Sequence, residues 1–334
     1  MATKNHNQHI KLYEEEEDFF YAMTMATSIT IPWTIKAAVD LEVFDIISKA
    51  GPDAYLSASE IVSHHKTENP NAAHMLERIL CFLVSHSLLT CKVVTLESGH
   101  VQRRYGLTRA SKHFPIRDDG VSLSWLPMMA ATKEYLAAWP YLKDVVIDSG
   151  DTPIFDKVNG FSMFEYLTRN PDNGKVFNSA NFSVTTVIME KMVEVYKGFG
   201  GLKSLVDVGG GVGVEHVGGD MFESVPKAEA IFIKSVLHDW SDEHCLKLLK
   251  NCYEAIPDDG KVIIMELVFP KVPQPSSAMK WFYSSDIIMM ALLPGGKERS
   301  EDDLEVLARK AGFVSVKTAC QAFGFWMIEL HKSE

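Results

Sequence analysis

Cysteine is scarce in this sequence, and no two cysteines form a Cys-x-x-Cys pair. The five present, Cys81, Cys91, Cys245, Cys252 and Cys320, are odd in number and scattered. That pattern argues against a disulfide framework and a structural zinc site, and it suits a reducing compartment. Positive charge is also in deficit: 33 Lys and Arg against 44 Asp and Glu give a formal net charge of −11. An acidic chain is a poor holder of phosphate backbones, and anionic membranes repel it. The expected partners are therefore small molecules or proteins, with no nucleic acid and no membrane. Long apolar runs are missing too; the richest stretch, residues 23–39, is broken by Pro32 and Lys36, so no span of a bilayer is expected. The N-terminus has no basic start leading into an apolar core, as a secretory signal would. It carries Glu14, Glu15, Glu16, Glu17 and Asp18 instead. The expected location is cytoplasmic.

What the chain does contain is ordinary globular material. It has 334 residues, of which 46% are hydrophobic and 23% charged, enough for about two or three domains. Residues 1–18 read as a solvated tail. From residue 19 to about 115 the pattern is helical: Ile35, Val39, Val43, Phe44, Ile46 and Ile47 recur at helix spacing before Gly51-Pro52. Ser57-Ala-Ser-Glu60 is a capping-box sequence, a helix is expected over 72–89, and short strands are expected over 92–95 and 104–107. Helices followed by a small hairpin suggest a winged-helix-like module, and the acidic balance favours dimerisation over DNA. Residues 116–200 read as a helical connector rich in aromatics and methionines, most of them core and some lining a ligand pocket. Residues 201–334 read as α/β: strands at 230–233 and 261–268, helices at 242–256 and 300–311, and closing strands at 314–316 and 325–330. Such alternation predicts a largely parallel sheet.

One absence lies inside that α/β region. Leu205-Val-Asp-Val-Gly-Gly-Gly-Val-Gly213 has the form of a strand entering a nucleotide-binding glycine loop, yet Val214-Glu-His-Val-Gly-Gly-Asp-Met-Phe222 follows at once. A loop over 209–213 is too short for a parallel crossover, which needs about a dozen residues. Gly209 and Gly211 fit the dinucleotide fingerprint but Val214 breaks it. Asp207 just before the glycines suits a cationic ligand better than a pyrophosphate. On these residues alone, a cofactor loop and a plain tight turn both remain open.

The chemistry-bearing segments lie downstream. Lys234-Ser-Val-Leu-His-Asp-Trp-Ser-Asp-Glu-His244 follows a strand, where α/β sheets place their ligands. His238 and Asp239 are adjacent there. Glu266 lies inside a buried strand and needs a partner, and Glu298 follows the Pro294-Gly-Gly turn. A histidine oriented by carboxylates is a general-base arrangement; a structural ion pair near Lys297 or Arg299 is the other reading. His244 is expected at the surface.

Together these segments, with Asn251-Cys-Tyr-Glu-Ala255, Gly260-Lys-Val262 and Pro294-Gly-Gly-Lys-Glu-Arg299, resemble the plant caffeic-acid-type O-methyltransferases. The resemblance covers nearly the whole chain. It implies a homodimer formed through the N-terminal domain, a C-terminal Rossmann-like domain with a truncated sheet, S-adenosylmethionine as cofactor, no metal, and a small aromatic acceptor. By motif position it implies His238 as general base, flanked by Glu266 and Glu298. Asp207, Gly209, Gly211, Asp220, Met221 and Lys234 would hold the cofactor. Met129, Ala130, Phe177, Asn181, Val184, Asp239, Ile288, Met289 and Leu293 would line the acceptor pocket. Val184, Ala130 and Leu293 stand where the family offers a histidine and two asparagines, so a more apolar acceptor than caffeate is expected. A helix, a strand and a ribose-binding acid of the family are missing after the glycine loop, and the next strand is expected to be displaced or to pair antiparallel. Two further readings stay open: a catalytically impaired relative that dimerises with an intact methyltransferase, and N-methylation of an aromatic amine.

Overall fold

The computed structural model describes residues 2–150, 152–210 and 216–334. The chain divides into two compact units, residues 1–131 and 132–334, so the expected helical connector over 116–200 is shared between them.

In the first unit, the residues expected as a tail belong to helix Ala2–Ala26, exposed from Glu14 to Thr27. The apolar run after it is two helices, Thr30–Asp40 and Val43–Lys49. The break falls at Glu42, whose φ of +47° lies in the left-handed region. Ser57 and Glu60 complete a reciprocal capping box on helix Ala58–Val62, satisfying two backbone N–H groups that the first turn leaves unpaired. Helix Ala72–Ser85 ends before residue 89 because Ser87, at φ +58°, turns the chain into a strand. Strands β1 (Leu89–Thr95) and β2 (Val101–Leu107) form an antiparallel hairpin, Leu89 opposite Leu107. Phe44, Ile47, Ile61, Leu80, Leu83, Leu89 and Tyr105 make the core. Helices topped by one hairpin match the winged-helix-like reading.

The second unit is built on one sheet. Its strands are β3 (Leu205–Val208), β4 (Ala230–Lys234), β5 (Lys261–Phe269), β6 (Arg299–Ser300), β7 (Ser315–Ala322) and β8 (Phe325–His331). The order is β3-β4-β5-β8-β7, with β6 beside the end of β5. β3, β4 and β5 run parallel, but β8 pairs antiparallel with both β5 and β7. Five of the six strands therefore point the same way and β8 alone is reversed, so the sheet is largely parallel, as expected, with one antiparallel strand. Only Phe323 and Gly324 separate β7 from β8, and so short a link forces a hairpin. β5 is buried over seven of its nine residues, as a central strand covered on both faces should be. Helix Asp242–Ala255 lays Cys245, Leu248, Leu249, Cys252 and Ala255 on the sheet. Each such leucine contributes about 1.5–3 kcal/mol by leaving water.

The expectation that β4 would be displaced or turn antiparallel is overturned. β4 lies parallel to β3, with Leu205 opposite Ala230 and Val208 opposite Ile233. The segment joining them runs from Gly209 to Glu229. Residues 216–222 form no strand, so the whole of 209–229 is the crossover, and its 21 residues exceed the dozen a parallel return needs. Among its described residues there is no helix.

Candidate functional site

The site forms where β4 and β5 end. Ser235 takes φ +50° directly after β4 and leads into a single 3-10 turn, Leu237–Asp239. Glu266 of β5 holds this turn from below: its Oε1 accepts the backbone N–H of Val236 at 3.0 Å and of Leu237 at 2.9 Å. Arg299 holds it from the side. Its guanidinium donates to the carbonyls of Leu237 (2.6 Å) and Trp240 (2.8 Å) and to Asp242 Oδ1. The Lys297 N–H donates to the His238 carbonyl at 2.9 Å. His238 is therefore fixed in backbone as well as side chain.

Around its imidazole the chain gathers three carboxylates. Nδ1 lies 3.0 Å from Glu298 Oε1 and 4.0 Å from Glu266 Oε2; Nε2 lies 3.4 Å from Asp239 Oδ1. Lys297 and Arg299 both pair with Asp242 instead of Glu298, so the carboxylate is left to the histidine. Glu266 Oε2 and Glu298 Oε2 are buried without a hydrogen-bond partner. These charges shape one another. Burial alone would lower the His238 pKa, but Glu266, the Glu298 hydrogen bond and Asp239 outweigh it and raise it to about 10. Burial lifts Glu266 to about 7 against the pull of His238, and Asp239 to about 6. An imidazole with one nitrogen tied to a carboxylate and the other unblocked can accept and release a proton at Nε2.

Of the residues expected at the cofactor, Asp207, Gly209 and Lys234 lie at the ends of β3 and β4, and Asp220 and Met221 lie in the crossover between them. Asp207 and Lys234 occupy neighbouring strands and attract each other; burial raises the first and lowers the second. Gly209 has φ +74°, and a Cβ there would stand 2.8 Å from Val236 Cγ2, so only glycine suits the position. Gly211 lies outside the described residues. Asp220 is exposed, and its Oδ1 accepts the Phe222 N–H at 2.8 Å. The Met221 carbonyl accepts from Asn251 Nδ2 at 2.9 Å, which ties this segment to helix Asp242–Ala255.

Of the expected acceptor residues, Met129 and Ala130 end helix Trp125–Ala130 in the first unit. Phe177, Asn181 and Val184 share one face of helix Pro171–Val195; Phe177 and Val184 are half-buried and Asn181 is exposed. Ile288 and Met289 are half-buried on helix Ser277–Leu292, and Leu293 follows it, buried. Gly296 brings several groups together: a Cβ there would lie 3.0 Å from Leu293 Cβ, 3.1 Å from the Met289 carbonyl and 3.2 Å from that of His238. Asp239 sits against the imidazole itself. His244 is exposed, as expected. Two residues were missed. Ser285 Oγ donates to Glu298 Oε1 at 2.7 Å, and Asp286 Oδ1 accepts the Glu298 N–H at 2.9 Å. The available signal was Ser284-Ser285-Asp286 inside an otherwise apolar helical run.

Comparison with known proteins agrees with this architecture. Residues 23–115 match the O-methyltransferase dimerisation domain. The O-methyltransferase domain matches in two segments, 139–215 and 213–314, which meet at the glycine loop. Caffeic acid 3-O-methyltransferase 1 of Populus tremuloides is 45% identical over 350 aligned positions, covering 95% of each chain. Caffeic acid 3-O-methyltransferase of Medicago sativa is 44% identical with the same coverage. Since 95% of 334 residues is about 317, about 33 of those 350 positions face no residue of this chain. Human N-acetylserotonin methyltransferase, solved in complex with S-adenosylmethionine, shares the fold: TM-score 0.76 at 18% identity, over 95% of this chain and 98% of that one. With both domains matched in order and nearly the whole length aligned, this chain belongs to the plant caffeic-acid-type family of S-adenosylmethionine-dependent O-methyltransferases.

Proposed function

We propose that the chain methylates a hydroxyl of an apolar plant aromatic, of the phenylpropanoid, flavonoid or alkaloid-like kind, with His238 taking the hydroxyl proton. The observation that carries this reading is the fixed imidazole. Nδ1 is held by Glu298 at 3.0 Å, while the 3.4 Å from Nε2 to Asp239 is too long for a strong hydrogen bond. Nε2 is thus the nitrogen that receives the proton, and Glu298 and Glu266 stabilise the imidazolium that results.

The residues present fit S-adenosylmethionine. Asp207, Asp239, Glu266 and Glu298 outnumber Lys234 and His238, and two of their buried oxygens lack partners; this acid excess suits a cation. The bare backbone at Gly209 permits close approach. Asp207, Gly209 and Lys234 would hold the methionine end, and Asp220 and Met221 the adenine side. When bound, the cofactor supplies an activated methyl on a sulfonium. The protein contributes alignment and the base. His238 carries a proton at neutral pH in the free protein, since its pKa is near 10. A second cation in the site lowers that pKa by like-charge repulsion, which leaves the imidazole neutral and free to take the proton of a phenol, whose own pKa is about 10.

Support for an apolar acceptor comes from Leu293 and Met289, whose positions Gly296 brings close to the His238 backbone, with Ile288, Phe177 and Val184 apolar as well. Exposed Phe19, Phe20, Tyr21 and Met23 on the helix that enters the dimerisation match support a homodimer. No helix among the described residues is long and apolar enough to cross a membrane, and five unpaired cysteines support a cytoplasmic location. The test is His238→Gln. Turnover of hydroxylated aromatics falls by about 10²–10⁴-fold while cofactor affinity by calorimetry is not weakened; unchanged turnover refutes the base assignment, and selective turnover of caffeate refutes the apolar pocket. A second reading, a catalytically impaired partner of an intact methyltransferase, is favoured by a crossover with no helix among its described residues. Absence of calorimetric binding at millimolar cofactor would establish it over the first.

A further inference from the structure

We infer that Ser285 is a positioning residue for the base: it holds Glu298 so that one carboxylate oxygen, already engaged, is aimed at His238 Nδ1. The inference rests on the proposed role of His238.

A serine within a helix usually returns its hydroxyl to the carbonyl four residues back. Ser284 does so, donating to the Lys280 carbonyl at 2.7 Å. Its neighbour Ser285 is buried, and its Oγ instead crosses to Glu298 Oε1 at 2.7 Å. That same oxygen faces His238 Nδ1 at 3.0 Å, while Oε2 has no partner. The next residue, Asp286, accepts the Glu298 N–H. Helix Ser277–Leu292 thus grips Glu298 at both backbone and carboxylate. Without the hydroxyl, nothing distinguishes Oε1 from Oε2, and the carboxylate can turn about its last bond. The hydroxyl also draws charge from Oε1 and tempers its attraction for the imidazole proton. Removing it therefore makes His238 a more tightly protonated group. The other charges around His238 stay in place: Asp239 on its own turn and Glu266 on β5, both of which also attract Lys234 at the end of β4.

The test compares Ser285→Ala, Ser285→Thr and Ser285→Val in the full chain. Threonine and valine have the same shape and differ only by the hydroxyl. With S-adenosylmethionine and a turned-over aromatic alcohol, the pH profile of kcat is measured beside calorimetric cofactor affinity and melting temperature. Alanine and valine variants are expected to lose about tenfold in kcat and to move the acid limb up by about one pH unit, with cofactor Kd unchanged. Threonine is expected to restore both kcat and the limb. Valine and threonine behaving alike, or a limb unmoved in the alanine and valine variants, overturns the inference. His238→Gln run alongside separates the two failures. Turnover retained there refutes the base assignment; turnover lost there, with the Ser285→Val profile unmoved, refutes only the role of Ser285. Should the valine variant fail to fold, alanine against threonine gives the same comparison.

Discussion

Replacing Glu266 by glutamine tests the electrostatics of the site most sharply. A glutamine keeps one oxygen for the Val236 and Leu237 N–H groups, so the turn beneath His238 is retained. What disappears is a buried negative charge 4.0 Å from Nδ1. At an effective dielectric constant of about 20, two unit charges at that distance interact by about 4 kcal/mol, or about three pH units of proton affinity. The His238 pKa then falls from about 10 toward its ordinary value near 6.5, and the acid limb of kcat/KM falls with it. Stability gives a second readout. Burial raises Glu266 from 4.5 to about 7, so its folded form prefers the proton. Its contribution is fully present below pH 4.5 and is lost as pH rises through 7, a change of about 3 kcal/mol. His238, also raised, loses its contribution between about 6.5 and 10, in the same direction. The margin by which wild type exceeds Glu266→Gln in urea unfolding should therefore shrink by about 3 kcal/mol between pH 4.5 and 8. A margin constant across that range, together with an unmoved acid limb, would refute the reasoning.

Arg299→Leu removes three donors from a buried site and leaves the Leu237 and Trp240 carbonyls with only weaker donors, the Trp240 N–H and the Cys245 thiol, and Asp242 without its buried partner; a loss of about 3–5 kcal/mol is expected in urea unfolding. Gly296→Ala places a methyl 3.0 Å from Leu293 Cβ and 3.2 Å from the His238 carbonyl, so kcat and acceptor KM should worsen in steady-state kinetics while cofactor affinity holds. Ser57→Ala breaks the capping box in the first unit and should cost about 1 kcal/mol of thermal stability without touching kcat.

Local chemistry made much of the fold legible. The Ser57–Glu60 box, the apolar stripe of helix Asp242–Ala255 and the buried run of β5 each encode their own structure within a few residues. Features set by distant partners were not legible in the same way. The antiparallel placement of β8 depends on a two-residue turn at 323–324 and on which edge of β5 lies open. His238, Glu266 and Glu298 are separated by 28 residues or more in sequence, and no spacing rule joins them. Family motif positions nominated the three, and the folded chain brings them within 4.8 Å. Ser285 escaped because a serine in a helix is ordinarily satisfied within it, as Ser284 is.

The crossover at 209–229 and the proposed catalytic cluster occupy different parts of the chain, and the difference separates affinity from chemistry. The carboxylates that face Nδ1 and Nε2, those of Asp239, Glu266 and Glu298, come from residues 239–298, and the supports under them, Arg299 and the backbone of Val236 and Leu237, come from 236–299. All of these lie after the crossover, Gly209–Glu229. β4 keeps its parallel place between β3 and β5, so the strand end that carries His238 does not depend on what was lost. By the family resemblance, a ribose-gripping acid would belong to the missing portion. Two charge-assisted hydrogen bonds forgone, at about 1.5–3 kcal/mol each, amount to about two to four orders of magnitude in cofactor Kd. Relative to the Populus tremuloides and Medicago sativa enzymes, the expected change is a raised cofactor KM, with kcat at saturation preserved. A cofactor Kd equal to theirs by calorimetry would show that residues of the shortened crossover replace the lost acid. A normal Kd with a collapsed kcat would show that the crossover, and not the cluster, positions the methyl.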